Sequence, residues 1–279
     1  MDERKRQDLQ DRFWWLVEQK WRWITVIVWL GFCGWFVFNR WNDILGFSLG
    51  DTDDNLRMAQ VKALLAGQDW FDLRQYKLNP PYGANVHWSR LVDLPLAGLI
   101  LLLRPVLGAI DAQRAAAAIA PMLPLLIVMV ALALTTRRLA HVRAYPLAFA
   151  ALFYATSTTG MFNPLRIDHH GWQLAMLSLV VAGLADPKRR RGGATVGIAS
   201  ALSLTIGLEM LIYLAIAAAA HGLFWIIDRE ERGRLASYAV TLGGGAALGF
   251  LLFASYANRL PVCDALSPVW LSNALLGSG

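Results

Sequence analysis

At 279 residues the chain has the length of one or two soluble domains, but 56% of it is hydrophobic and only 16% is charged. That charge content falls short of the roughly 25% usual in soluble domains, and the high apolar content excludes a disordered chain. The net charge of +6 is therefore read as an orientation signal in an all-α, polytopic membrane protein, and not as a nucleic-acid footprint.

The elements follow in chain order. Residues 1–22 are basic and interleaved with Phe13, Trp14, Trp15 and Trp21, with Trp23 just beyond. This pattern predicts a cytoplasmic, interfacial aromatic anchor. It is not a cleavable signal, because the polar stretch before the apolar run is long and no small-residue cleavage site follows. Run 23–38 is the first span. Cys33 follows Phe32 where a lipoprotein acceptor needs a small residue, and Cys33 and Cys263 form no C-x-x-C, metal or scaffold pattern. Residues 39–114 make a large first outer loop with a helical pattern from Asn55 to Ala66 that stops at Gly67. Within that loop, run 94–110 opens at Pro95 and is broken by Arg104-Pro105. It is too short for the roughly 20 apolar residues a crossing needs, and reads as an interfacial or re-entrant helix. Spans are then expected at 115–135, 144–161, 172–185, twice within 194–227 with a turn near Gly207–Glu209, and at 235–256. The triplet Gly243-Gly244-Gly245 in the last span reads as a site of close helix packing. Residues 257–279 begin another outer segment, so the chain reads as the front part of a longer protein.

Lysine and arginine near span ends stay in the cytoplasm. Segments 1–22, Arg137 to Arg143, Lys188 to Arg191 and Arg229 to Arg234 hold 16 of the 26 Lys/Arg. Placing all four inside gives about seven transmembrane helices, a cytoplasmic N-terminus, and run 94–110 uncrossed.

That topology gathers the chemically distinctive residues on the outer face. The first loop carries Gly50-Asp51-Thr52-Asp53-Asp54, the second Arg166-Ile167-Asp168-His169-His170, and the third Glu209. Carboxylates at Asp-x-Asp spacing can share a divalent cation such as Mg²⁺ or Mn²⁺. The candidate ligands are Asp51, Asp53, Asp168, His169 and His170, with Asp168 and one histidine the economical pair. Asp53 or Asp54 can equally be an N-cap before Asn55, and Asp168 can cap the next span with its histidines at the interface. Glu209 stands alone between apolar helices, where an ionisable group is a functional candidate, or else a solvated helix end. Arg57, Arg90, Arg166, Lys77 and His87 share this face. They are candidates for phosphate or substrate contact, although each taken singly also reads as a solvated charge.

The whole layout resembles the N-terminal transmembrane half of GT-C fold glycosyltransferases, most closely the catalytic subunits of oligosaccharyltransferases. The matching features are one span, a large outer loop with the early Asp51-Thr52-Asp53-Asp54 motif, a proline-containing juxtamembrane helix from Leu94 to Leu107, a basic turn at Thr135-Thr136-Arg137-Arg138, and a second acidic loop at Asp168-His169-His170. The chain departs from that family in lacking a Trp-Trp-Asp acceptor motif and a soluble C-terminal domain. A missing C-terminal part or a partner subunit would have to supply those functions. The resemblance implies sugar transfer from a polyprenyl (di)phosphate donor at the extracytoplasmic face of a bacterial inner (plasma) membrane. In that scheme Asp51 and Asp53 are catalytic, with Asp51 orienting or deprotonating the acceptor. Asp53, Asp168 and His169 or His170 complete a metal site, and Arg90, Arg166 or Lys77 hold the phosphate. Lipid surrounds the spans and the donor's tail. Two other readings stand beside this one: a transporter or channel component, and a non-catalytic subunit of envelope assembly.

Overall fold

The structure, a computed structural model, describes residues 3–277. Among these residues the chain is almost entirely helical. Helices α1 (Glu3–Gln19), α2 (Trp21–Asn39) and α3 (Trp41–Gly46) open it. Helix α4 (Thr52–Leu65) follows, then a two-residue antiparallel pair, β1 (Arg74–Gln75) and β2 (Ala84–Asn85), with Arg74 opposite Asn85. Next come α5 (Asp93–Leu107), α6 (Ala109–Ile119), α7 (Met122–Leu139), α8 (Tyr145–Tyr154) and the single turn α9 (Thr156–Thr159). Helices α10 (His170–Leu184), α11 (Arg189–Ile206), α12 (Leu211–Ile227), α13 (Arg232–Phe253) and α14 (Pro268–Leu276) complete it.

Length and apolarity single out three stretches able to cross a membrane: Trp21–Asn39, the nearly continuous α6–α7 unit Ala109–Leu139, and Arg229–Phe253. Tyr145–Tyr154, His170–Leu184 and Leu211–Ile227 are apolar but shorter. Large apolar side chains stand more than half exposed along α2 (Trp23, Ile27, Leu30, Phe38), α12 (Ile212, Ile216, Ile226) and α13 (Val240, Leu248, Leu251). Exposed apolar surface on this scale suggests a membrane protein.

Contacts between distant segments define two ends of the bundle. At one end the basic turns lock together. Arg143 pairs with Glu18 at 2.5 Å, and Tyr145 donates its hydroxyl proton to the Val17 carbonyl. Arg138 and Arg191 both reach Asp186, at 2.9 and 2.7 Å, and Arg189 meets Asp228 at 2.7 Å. At the other end the acidic loops meet, and the segment after α13 joins them. Tyr256 donates its N–H to the Phe71 carbonyl, and the Asn258 amide to that of His87. Helices α5 and α6 start and finish at this acidic end: Asp93 is buried there against Arg57, and the Ala117 carbonyl accepts the Leu165 N–H. They form a hairpin joined at Gly108, whose φ of +81° suits a residue without a side chain.

Three apolar clusters fill the interior. One joins α2, α7, α8 and α10 around Phe32, Met129, Phe149 and Met176. Trp29 from α2 ties into it by donating to the Met122 carbonyl at 2.9 Å. The second lies beneath the acidic loops, where α4, α5 and α6 enclose Val61, Leu96 and Leu165. The third joins α11, α12 and α13.

Two local expectations are corrected. Helix α4 begins at Thr52, earlier than the Asn55 start read from sequence, because Asp51 itself is the N-cap and accepts the Asp53 and Asp54 N–H groups at 3.0 Å. The close helix contact foreseen at Gly243-Gly244-Gly245 involves only part of that triplet. A Cβ at Gly244 would meet nothing within 4 Å, whereas one at Gly245 would come 2.7 Å from Ala201 Cβ. The tightest approaches are at Gly193, Gly197 and Gly249, where a side chain would overlap Arg234, Thr241 and Thr205.

Candidate active site

The site forms where three loops at the acidic end are pinned together. Asp51 is fixed by its own capping bonds, which hold Oδ1 against the helix N-terminus and leave Oδ2 facing outward from the cap. One turn in, Asp54 is fully buried. Its Oδ1 accepts the Asp168 N–H at 3.1 Å, which docks the second loop onto α4. The approach of that loop depends on Leu165, which adopts a left-handed φ of 75°. Such a backbone costs a bulky residue on the order of 1–3 kcal/mol. Burial of the Leu165 side chain in the second cluster and its N–H bond to Ala117 hold it there.

This bend delivers Arg166 into the acids. Its Nη1 binds Asp51 Oδ2 and lies 3.2 Å from Asp54 Oδ2, while Nη2 lies 2.8 Å from Asp168 Oδ2. Three carboxylates from two loops thus share one guanidinium. Burial and the charge of Asp168 push the Asp54 carboxyl up to about 7. Burial would raise Asp168 as well, but the neighbouring His170 and Arg166 hold it below its ordinary value.

The histidines diverge. His170 turns its Nδ1 to within 3.1 Å of Asp168 Oδ2, and its N–H donates to Asp168 Oδ1 at 2.9 Å. His169 points the other way, its Nε2 lying 2.7 Å from Glu209 Oε1. Glu209 Oε2 accepts from the Gln173 amide at 2.7 Å. Although burial opposes it, these two bonds bring Glu209 down to about 2. The two imidazole rings stack at 4.5 Å and 27°.

The other basic candidates sit elsewhere. Arg57 and Arg90 are buried and paired with Asp93 at 2.8 and 3.3 Å. Arg57 also stacks on Trp88, and Arg90 donates to the carbonyls of Gln60 and Asp72. Lys77 lines an open cavity of about 570 Å³ beside α4, together with Lys62 and Gln75. His87 faces Asp264 at 3.7 Å. Asp53 gives its N–H to the Asp51 cap, while Asp54 supplies the carboxylate to the cluster. Asp54 and Gln173 are thus the members that sequence reading passed over. A glutamine inside an apolar run was the available signal for Gln173.

A divalent cation is what the acidic motifs suggest. Among the described residues no three carboxylate, imidazole or thiolate side chains form a ready cation site, because Arg166 supplies the positive charge. The donor chemistry nevertheless fits. Asp168 Oδ2 and His170 Nδ1 are buried and face each other at 3.1 Å, and the same oxygen meets Arg166 Nη2 at 2.8 Å. With Arg166 turned aside, an oxygen and an imidazole nitrogen so placed suit Mn²⁺, or Mg²⁺ with waters completing its shell.

No family model matches the sequence, and no curated protein matches it. Solved structures do match. The apo form of the Archaeoglobus fulgidus oligosaccharyltransferase superposes with a TM-score of 0.72 at 18% identity, covering 94% of this chain and 32% of that one. The same enzyme in complex with zinc and sulfate gives 0.71 at 18% identity, over 91% of this chain and 34% of that one. Tethered to an acceptor peptide containing the NVT sequon, it gives 0.74 at 17% identity, over 94% and 33%. The chain therefore spans about a third of the length of that oligosaccharyltransferase, and within that third it has the same fold.

Proposed function

We propose that this chain carries the active face of a glycosyltransferase that moves a sugar from a polyprenyl phosphate or diphosphate donor to an acceptor. The acidic end lies on the extracytoplasmic side of the membrane and the basic turns lie in the cytoplasm. The helical segments joining the two ends, namely α2, α7, α8, α10, α11, α12 and α13, supply seven crossings. The observation that carries the reading is the meeting of Asp51, Asp54 and Asp168 on Arg166, within a fold shared with an oligosaccharyltransferase.

Asp51 is the group that receives the acceptor. Its Oδ1 is spent on the helix cap, so Oδ2 is the oxygen free to exchange its partner. Arg166 is the donor-binding group, because its planar guanidinium presents two parallel N–H donors that match the oxygens of a phosphate. When Arg166 turns to the donor phosphate, Asp51 Oδ2 accepts the acceptor's N–H or O–H proton. The acceptor atom then bonds to the anomeric carbon, the bond from that carbon to the phosphate oxygen breaks, and Arg166 meets the charge that develops on the leaving group. Asp168 and His170, with Asp51 beside them, would hold a divalent cation. That cation, when bound, supplies further neutralisation of the phosphate. Arg57 and Arg90, committed to Asp93, serve as framework for this face.

Membranes from cells expressing the chain, charged with radiolabelled nucleotide sugar, test the reading. With the wild-type chain, label is expected to leave the solvent-extractable lipid pool and appear on an acceptor. Asp51→Asn, nearly the same shape, is expected to slow that transfer by about 100-fold or more, with normal membrane insertion. Transfer at the wild-type rate by Asp51→Asn overturns the proposal.

A further inference from the structure

We infer that Glu209 is a positioning residue: acting through His169, it fixes the His170 ring so that Nδ1 faces Asp168. The inference rests on the reading of Asp168 and His170 as a cation-holding pair, and it assigns the third outer turn a part in that site.

The chain of contacts is continuous. Glu209 lies in the turn between α11 and α12, far from the second loop in sequence, yet its Oε1 is 2.7 Å from His169 Nε2. Its second oxygen is held by Gln173, a fully buried residue of α10. Gln173 is itself fixed, donating to the carbonyls of Ser203 and Gly207 at 3.2 and 3.1 Å and accepting from the Ser203 hydroxyl. The Glu209 carboxylate lies where a side chain at Gly207 would be, so the turn is built around it. Glu209 is thus a fixed post, and not a mobile surface acid.

His169 is clamped on either side. Its ring lies 5.2 Å from that of Trp88 and is stacked on His170. Being bonded to a carboxylate, His169 carries its proton on Nε2, and its Nδ1 is left buried without a partner. A ring with one nitrogen tied to Glu209 and both neighbours occupied has one orientation. The stacked His170 takes its ring plane from that orientation, and within that plane its Nδ1 meets Asp168 Oδ2 at 3.1 Å. Groups that orient a metal-binding histidine from behind typically change metal affinity by 10–100-fold when removed.

The test is Mn²⁺ binding by the purified full chain in detergent, followed by the electron paramagnetic resonance signal of free Mn²⁺. Unfolding midpoints are recorded alongside. Wild type is expected to bind Mn²⁺, and Asp168→Ala to abolish binding. Glu209→Ala is expected to weaken it about 10–100-fold, and Glu209→Gln, which still accepts from His169, to restore most of the affinity. Should Glu209→Ala fail to fold, His169→Phe carries the test. It keeps a ring beside His170 but removes the tie, and the same weakening is expected. Wild-type affinity in Glu209→Ala, with binding lost in Asp168→Ala, overturns the positioning role and leaves the cation pair standing. Absence of Mn²⁺ binding by wild type overturns the inference together with the cation pair. The Asp51→Asn transfer assay judges the glycosyl-transfer reading separately.

Discussion

Asp54 follows Asp51, Thr52 and Asp53 and reads in sequence as a helix cap, yet it is fully buried. Its carboxyl is raised from its ordinary value to about 7, first by burial and then by the charge of Asp168. The sign of the pH effect follows from linkage. A carboxyl that holds its proton more tightly when folded favours the fold at low pH, and that contribution is lost as pH rises toward 7. Wild-type protein is therefore expected to unfold at a lower temperature at pH 8 than at pH 5. Asp54→Asn, neutral throughout, is expected to flatten that dependence. Thermal unfolding in detergent at both pH values checks this, and an unchanged slope in the variant rules the account out. The neighbouring Asp51 and Asp53 could not be told apart from Asp54 by spacing. Which of three adjacent carboxylates faces inward depends on where the helix begins, and the Asp51 cap decides that.

Among elements, α11 and α13 approach along a ladder of small residues: Gly193, Gly197 and Ala201 on one, Gly245 and Gly249 on the other. Small residues let the two backbones approach, and such contact is held by close packing. A side chain at Gly197 would overlap Thr241, whereas one at Gly244 would meet nothing. Gly197→Ala is accordingly expected to cost about 1–3 kcal/mol, and Gly244→Ala to be tolerated, by unfolding midpoint and by yield of extractable protein. Equal effects of the two would mean that α11 and α13 do not pack in this register. The sequence showed small residues in both helices. It could not show which faces meet, because the rotation of one helix against another is set by the packing of all their neighbours.

At the scale of the whole molecule, the division into a basic and an acidic end was legible from charge alone. Lys and Arg alternate between span ends in sequence, and the structure collects Glu18, Arg143, Asp186 and Asp228 at one end and the acidic loops at the other. Sidedness can be measured directly. In a chain with Cys33 and Cys263 replaced, single cysteines at 53 and 209 are expected to react with a membrane-impermeant maleimide from one side, and those at 190 and 230 from the other. Reaction of positions 53 and 209 from opposite sides would exclude the arrangement.

Hydrophobic run length and charge placement, properties of the chain that need no partner, determined the helical class and the segments that carry the acids. Only the tertiary structure decided that Arg57 and Arg90 are locked onto Asp93 while Arg166 is shared by three carboxylates, and that His169 serves Glu209 while His170 serves Asp168. The contacts of Arg166 with Asp51 and of His169 with Glu209 join side chains 115 and 40 positions apart. Local pattern carries no record of such a meeting, because the backbone bend at Leu165 and the packing of α4 against the second loop bring it about.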